Sequence, residues 1–296
     1  MRYRKLGDVE VSAIGLGAMP MTKPGREDER SVATVHAALD AGVTLIDTAD
    51  SYFWEPGAVG LNERLVATAL RTYDGDVSRV LVATKGGSLN PGFGRDWSHC
   101  GRSDYLKWAA RGSAHRLGVD SIALYQHHRP DPRVPYEESI GALRDLLDEG
   151  LIRAAGISNV DAEQIRIAHD ILGDALVSVQ NRFSPSHREA QAELLLCQEL
   201  GLAFLPWSPM GGIGNAHELG GEIGRFAEVA ARHGVSPQRV CLAWELALSP
   251  RMIPIPGASR PENIIESALA ADLELGADEV AFLTGSESGP DLDRGE

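Results

Sequence analysis

Cysteine is scarce in this chain: Cys100, Cys197 and Cys241 stand far apart, and no CxxC pair occurs. That spacing argues against a disulfide framework and a cysteine zinc site, and reduced core thiols are the expectation. Blocks of lysine and arginine are missing too, and 28 basic against 42 acidic residues leave a net charge of −14. Long-range repulsion disfavours nucleic acid or an anionic membrane as a partner, so any anionic ligand must be captured by local groups. No stretch approaches about 18 uninterrupted apolar residues, and the opening MRYRKLGDVEVSA is positively charged without the apolar run of a secretory signal. A cytoplasmic location is therefore expected. GxGxxG is also absent, which removes support for a Rossmann phosphate loop.

What the chain does have is a regular alternation. After a hairpin-like start (YRKL, GD, VEVSAI), short β-branched runs alternate with helix-period segments. The runs are AIGLGAM (13–19), VTLID (43–47), RVLVATK (79–85), SIALYQHH (121–128), IRAAGIS (152–158), LVSVQ (176–180), LAFLPWS (202–208) and MIPIPG (252–257). DERSVATVHAALDAG has apolar positions recurring at three and four. In SPQRVCLAWELALS, Ser236 suits the cap and Pro237 the first turn. Eight strands with helical crossovers predict an α/β fold, a (β/α)8 TIM barrel with an N-terminal β-hairpin and extra helical segments. Residues 1–296 are expected to form one domain, with the segment 211–234 and the tail from Gly276 outside the repeat and flexibility expected from about residue 285.

In such a barrel, chemistry sits at the carboxyl ends of the strands. The second strand ends in Asp47 with Tyr52 just beyond, the third in Lys85 and the fourth in His128. A lone strand-end Asp is ordinarily a turn residue, but four ionisable groups converging on one mouth point to a site. The Lys85 ammonium can pair with Asp47 and lie near the Tyr52 phenol, which should lower the phenol pKa from about 10 toward the working range of a general acid. Strand parity sends His127 and His128 to opposite sides, one toward the mouth and one toward the surrounding helices. Asp50 reads as a turn residue with local hydrogen bonds and no catalytic part.

DTADSY, ATKGG, LYQHHRPDP, GISN, VQN, PWSPMGG and IPGASRPENIIES, in this order over nearly the whole chain, resemble the aldo-keto reductase superfamily. The resemblance implies the catalytic tetrad Asp47, Tyr52, Lys85 and His128, with NADP(H) extended across the mouth. It implies a nicotinamide clamp from Ser158, Asn159 and Gln180, stacking on Trp207, and coenzyme contacts from Met19, Ser208, Pro209 and Gly211. Gly257, Ser259, Arg260, Asn263 and Glu266 would hold the adenosine phosphate end, where a planar cation at a helix start favours NADP over NAD. The motif closes on Glu266-Ser267 where the family usually has Glu-Asn, which departs at part of the adenine contact. Trp54 and Trp97 are candidate walls of a pocket for a small carbonyl substrate; a loop aromatic without a substrate role is the other reading of Trp97. No metal is implied. The activity implied is reduction of aldehydes or ketones. The rivals are an NADP(H)-binding regulatory subunit, as among potassium-channel β-subunits, and a barrel glycosidase, which needs two paired acids.

Overall fold

A computed structural model describes residues 1–92, 96–211 and 224–285. Strands β1 (Tyr3–Leu6) and β2 (Val9–Ser12) form the antiparallel hairpin expected from the sequence. Gly7 takes the left-handed conformation at its turn (φ +59°).

A seven-stranded parallel sheet follows. Its members are β3 (Leu16–Gly17), α1 (Asp28–Asp40) crossing to β4 (Leu45–Asp47), and α2 (Leu61–Thr72) crossing to β5 (Leu81–Gly86). A small ribbon of β6 (Ser88–Leu89) and β7 (Ser98–His99) precedes α3 (Ser103–Leu117) and β8 (Leu124–His127). Then come α4 (Tyr136–Asp148), β9 (Ala155–Ser158), α5 (Ala162–Leu172), β10 (Leu176–Gln180), α6 (Gln191–Leu200) and β11 (Ala203–Phe204). Helices α7 (Gly224–His233), α8 (Pro237–Leu248), α9 (Pro261–Ala268) and α10 (Ala277–Thr284) complete the described chain. Part of the segment expected outside the repeat is thus α7, and the start of the tail is α10. The other residues of those two segments, 212–223 and 286–296, lie outside the described residues.

The eighth expected strand, 252–257, closes the barrel without forming a regular ladder. On one side the amides of Ile253 and Ile255 donate to Phe204 and Pro206. On the other, the carbonyls of Pro254 and Pro256 accept from Gly15 and Gly17. The alternate positions that would return bonds to β3 are prolines, which have no N–H to give. Gly17 meets this strand so closely that an added Cβ would sit 2.8 Å from the Ile255 carbonyl oxygen, which explains a glycine there.

Inside the barrel, Leu45, Ala83, Leu124, Ala203, Leu205, Ile253 and Ile255 pack with Leu6 and Val11 of the hairpin, which plugs the floor. Between sheet and helices, alternate strand residues such as Tyr125 and Val179 join one core cluster with Leu106 of α3, Ile140 of α4, Ile165 of α5 and Leu194 of α6. The two-residue period therefore sorts each strand into an inner and an outer row. An irregularity between Leu176 and Ser178 interrupts the row in β10. Val177 joins the barrel interior there, while the neighbouring Ser178 hydroxyl donates to Gln126.

Candidate active site

The inner rows end in polar groups at the top of the barrel. Lys85, the inward residue after Ala83 on β5, is fully buried and spends its three donors on Asp47 Oδ1 (2.5 Å), the Thr48 main-chain carbonyl (2.9 Å) and the Tyr52 hydroxyl (3.0 Å). Asp47, at the end of β4, accepts on its second oxygen from Gln180 (2.8 Å) and Gln126 (3.2 Å). The buried carboxylate is therefore saturated by donors, as a charge taken out of water requires. His128 follows β8, its ring 5.6 Å from that of Tyr52 and nearly perpendicular to it, and Ser51 Oγ lies 3.4 Å from its Nδ1. These four side chains come together as the strand ends predict.

Their electrostatics correct one expectation. Burial pushes the Tyr52 phenol above its ordinary value, and Lys85 opposes that rise without overcoming it. At neutral pH Tyr52 is a protonated phenol. Burial also works against the Lys85 charge, but Asp47 and Tyr52 outweigh it and hold the ammonium above an ordinary lysine. Burial, then Lys85, pushes His128 well below the usual imidazole range, so its ring is neutral. His127 is buried beside Tyr136 with ring centroids 6.1 Å apart, and burial pushes it down to about 4. It packs toward the helices, on the side opposite His128, as strand parity predicts.

Asp50 departs from its expected local role. It is buried, and its Oδ1 has no hydrogen-bond partner. Burial first, then the nearby Glu63, pushes its pKa up to about 8. Glu63 itself is held by Arg116 (2.5 Å) and Thr84 (2.6 Å). A carboxyl whose folded pKa is raised adds stability below its unfolded pKa, and that contribution is lost as pH climbs through the folded value. Between about pH 4 and pH 8, wild-type stability should therefore fall relative to Asp50→Asn, by on the order of a few kcal/mol over the window. Urea unfolding at pH 5 and pH 8 measures this, and identical pH slopes for both proteins would contradict it.

A cavity of about 360 Å³ opens above the tetrad. Among the described residues, its wall includes Tyr52, His128, Asp47, Met19, Ser158, Asn159, Gln180, Trp207, Ser208 and Pro209, with Gly257, Ser259 and Asn263 at one end and Trp97 at another. Trp97 stands edge-on to His128 with ring centroids 6.3 Å apart. Trp54, Gly211, Arg260 and Glu266 are not on that wall. Asn90 binds the Phe53 carbonyl (2.5 Å), and the Trp54–Pro56 backbone packs close to Gly92. Glu266 is engaged by Arg239 (2.5 Å) and Ser236 (2.6 Å), with Ser236 also capping α8. Arg260 stands exposed at the start of α9, ahead of Pro261.

Two residues of the wall hold an uncommon backbone conformation. Asn159 and Ser208 are the non-glycine residues with positive φ among those described, at +59° and +54°. Asn159 is pinned there, donating to Ser158 Oγ and to the His128 carbonyl (both 2.9 Å) while accepting from the Trp207 indole (3.2 Å). Gln126, Thr48 and Ser178 escaped the sequence reading. Gln126 shares inward parity with His128, so a signal for it existed; the Thr48 contact is through a main-chain oxygen and left none.

A larger concavity of about 830 Å³ lies at the opposite end, by the hairpin. Its Arg4 is consumed by the carbonyls of Leu246, Ser249 and Met252, and it faces away from the strand carboxyl ends. Among the described residues no group of three or more His, Cys, Asp or Glu could hold a metal ion, and no helix is long and apolar enough to cross a membrane.

The pattern of the aldo/keto reductase family matches residues 13–287. A Schizosaccharomyces pombe protein described as an uncharacterized oxidoreductase is 34% identical, over 99% of this chain and 92% of its own. A Novosphingobium aromaticivorans 6-dehydroglucose reductase is 35% identical over 90% of each. A thermostable aldo-keto reductase solved with the inhibitor epalrestat superposes with a TM-score of 0.80 at 28% identity, covering 96% of this chain and 99% of that one. A Klebsiella pneumoniae aldo-keto reductase solved with NADPH gives 0.78 at 26%, covering 96% and 94%. With a barrel of this shape, polar strand ends in this arrangement and a pattern match over nearly its full length, the chain belongs to the aldo/keto reductase family.

Proposed function

We propose that the protein is an NADP(H)-dependent reductase of aldehydes or ketones, with Tyr52 as proton donor. The observation that carries this is the Lys85 ammonium, bonded at once to Asp47 and to the Tyr52 hydroxyl on the wall of a cavity shared with His128. The NADPH held by the Klebsiella pneumoniae relative supports the coenzyme. The wall suits it: Ser158, Asn159 and Gln180 offer uncharged donors and acceptors for a carboxamide, and Trp207 offers an aromatic face. At the start of α9, Pro261 has no N–H and the Asn263 amide is used by the Arg260 carbonyl, which leaves the main-chain N–H groups of Arg260 and Glu262 to meet a phosphate.

Held by Ser158, Asn159, Gln180 and Trp207, NADPH would supply the hydride that reduces the carbonyl carbon, leaving NADP⁺. As negative charge grows on the carbonyl oxygen, the Tyr52 hydroxyl gives it a proton, completing the alcohol; Tyr52 then recovers a proton from solvent. Lys85 stabilises the transient phenolate, and the neutral His128 orients the oxygen. Alcohol oxidation is the same path reversed. Asp47 keeps Lys85 charged and placed.

NADPH consumption with a panel of aldehydes, ketones and sugars tests the reading; no turnover with any of them would overturn it in favour of a regulatory subunit. Arg260→Ala should weaken NADPH binding about tenfold or more while hardly changing NADH, because the loss is of a charge-assisted contact to the additional phosphate. Titrations followed by tryptophan fluorescence measure both, and equal losses would assign Arg260 a structural role.

A further inference from the structure

Arg129 lines the cavity beside Tyr52, His128 and Trp97, and it is half-buried. Among the described residues its guanidinium has neither an ion pair nor a hydrogen bond. The acid nearest in sequence, Asp131, is already committed. Its carboxylate accepts from Arg133 Nε (2.9 Å) and Arg133 Nη2 (3.1 Å), and from the amides of Arg133 (3.0 Å) and Gly101 (3.2 Å). Burial lowers the Arg129 pKa, and no acid offsets it. Pro130 follows, which disfavours a helical backbone at Arg129. A second cation, Arg26, also lines the cavity. The chain is strongly acidic overall, yet this mouth gathers arginines.

Partial burial of a guanidinium without a counter-charge is unfavourable in the free protein, and an incoming carboxylate relieves it through two parallel N–H···O bonds. Arg26 follows Met19 and Pro20 of the proposed coenzyme track closely in the chain, whereas Arg129 directly follows His128, whose ring meets Trp97 edge-on where the substrate would sit. We propose that the carbonyl compound reduced in this site carries a carboxylate, and that Arg129 is the specificity residue that binds it. This rests on the carbonyl-reductase reading above.

The test compares 4-carboxybenzaldehyde with its neutral isostere 4-formylbenzamide, and with 4-formylphenyl phosphate, at saturating NADPH. Wild-type kcat/KM should favour the carboxylate over the amide by about tenfold or more. Arg129→Met should pull that ratio toward one, through KM rather than kcat, and Arg129→Lys should retain part of it because the charge survives without the fork. A wild-type ratio at or below one, a ratio unchanged in Arg129→Met, or a preference for the phosphate over the carboxylate overturns the proposal. Should the wild type reduce none of the three, the wider panel decides the reductase reading, and the anion site is judged by binding. Benzoate should quench tryptophan fluorescence more tightly than benzamide in the wild type but not in Arg129→Met; equal binding overturns the assignment.

Discussion

Replacing Tyr52 with phenylalanine is expected to lower kcat/KM for aldehyde reduction by a factor of roughly 10²–10⁴, the range typical of a positioned proton donor. The ring keeps its shape in its buried position, and Lys85 retains Asp47 and Thr48 as acceptors. Thermal stability and NADPH affinity should therefore stay close to those of the wild type. Stopped-flow turnover and a coenzyme titration on the same preparation separate the two effects. Near wild-type turnover would show that another group donates the proton.

Lys85→Met is expected to be as damaging to activity and worse for the fold. The lysine is fully buried, and its removal leaves Asp47 with two amide donors and no cation. Breaking a buried pair from one side costs about 3–5 kcal/mol. The melting temperature should fall clearly, which the Tyr52 variant should not do. Because Lys85 opposes the upward pressure of burial on the phenol, its loss should also move the alkaline limb of the pH-rate profile to higher pH. An unmoved profile in a folded variant would remove Lys85 from any part in tuning Tyr52.

The tetrad was legible because each member sits at the end of a β-branched run, and strand parity then assigns opposite faces to neighbours such as His127 and His128. Burial was not legible in the same way. Asp50 reads as a turn residue until Glu63 and α2 close over it, and the net pKa of Tyr52 depends on how completely the barrel mouth excludes water. The sign of the lysine effect could be read from residue types; its size against desolvation could not. The aromatic rim shows the same limit, since Trp54 and Trp97 look alike in sequence and only Trp97 of the two lines the cavity. Arg129 was in plain view in LYQHHRPDP, but its want of a partner emerges only once Asp131 is seen bonded to Arg133.

The prolines of the closing strand bear on how the barrel assembles. Most neighbouring strands are joined through a local crossover, but the seam between residues 15–17 and 254–258 unites opposite ends of the chain, with bonds given by Gly15 and Gly17 and a single long one returned from Ala258 to Gly17 (3.3 Å). Joining remote segments carries the largest loop-closure entropy, and fewer hydrogen bonds reward it. The seam is accordingly expected to zip last during folding and to exchange its amide protons earlier than the regular ladders, which native-state hydrogen exchange would measure. Met19 and Pro20 stand on one lip of that seam, Gly257 and Ser259 on the other, and all four face the same cavity. A molecule lying across both lips would act as a clasp, so ligand binding in the cavity is expected to stabilise the closed barrel by mass action.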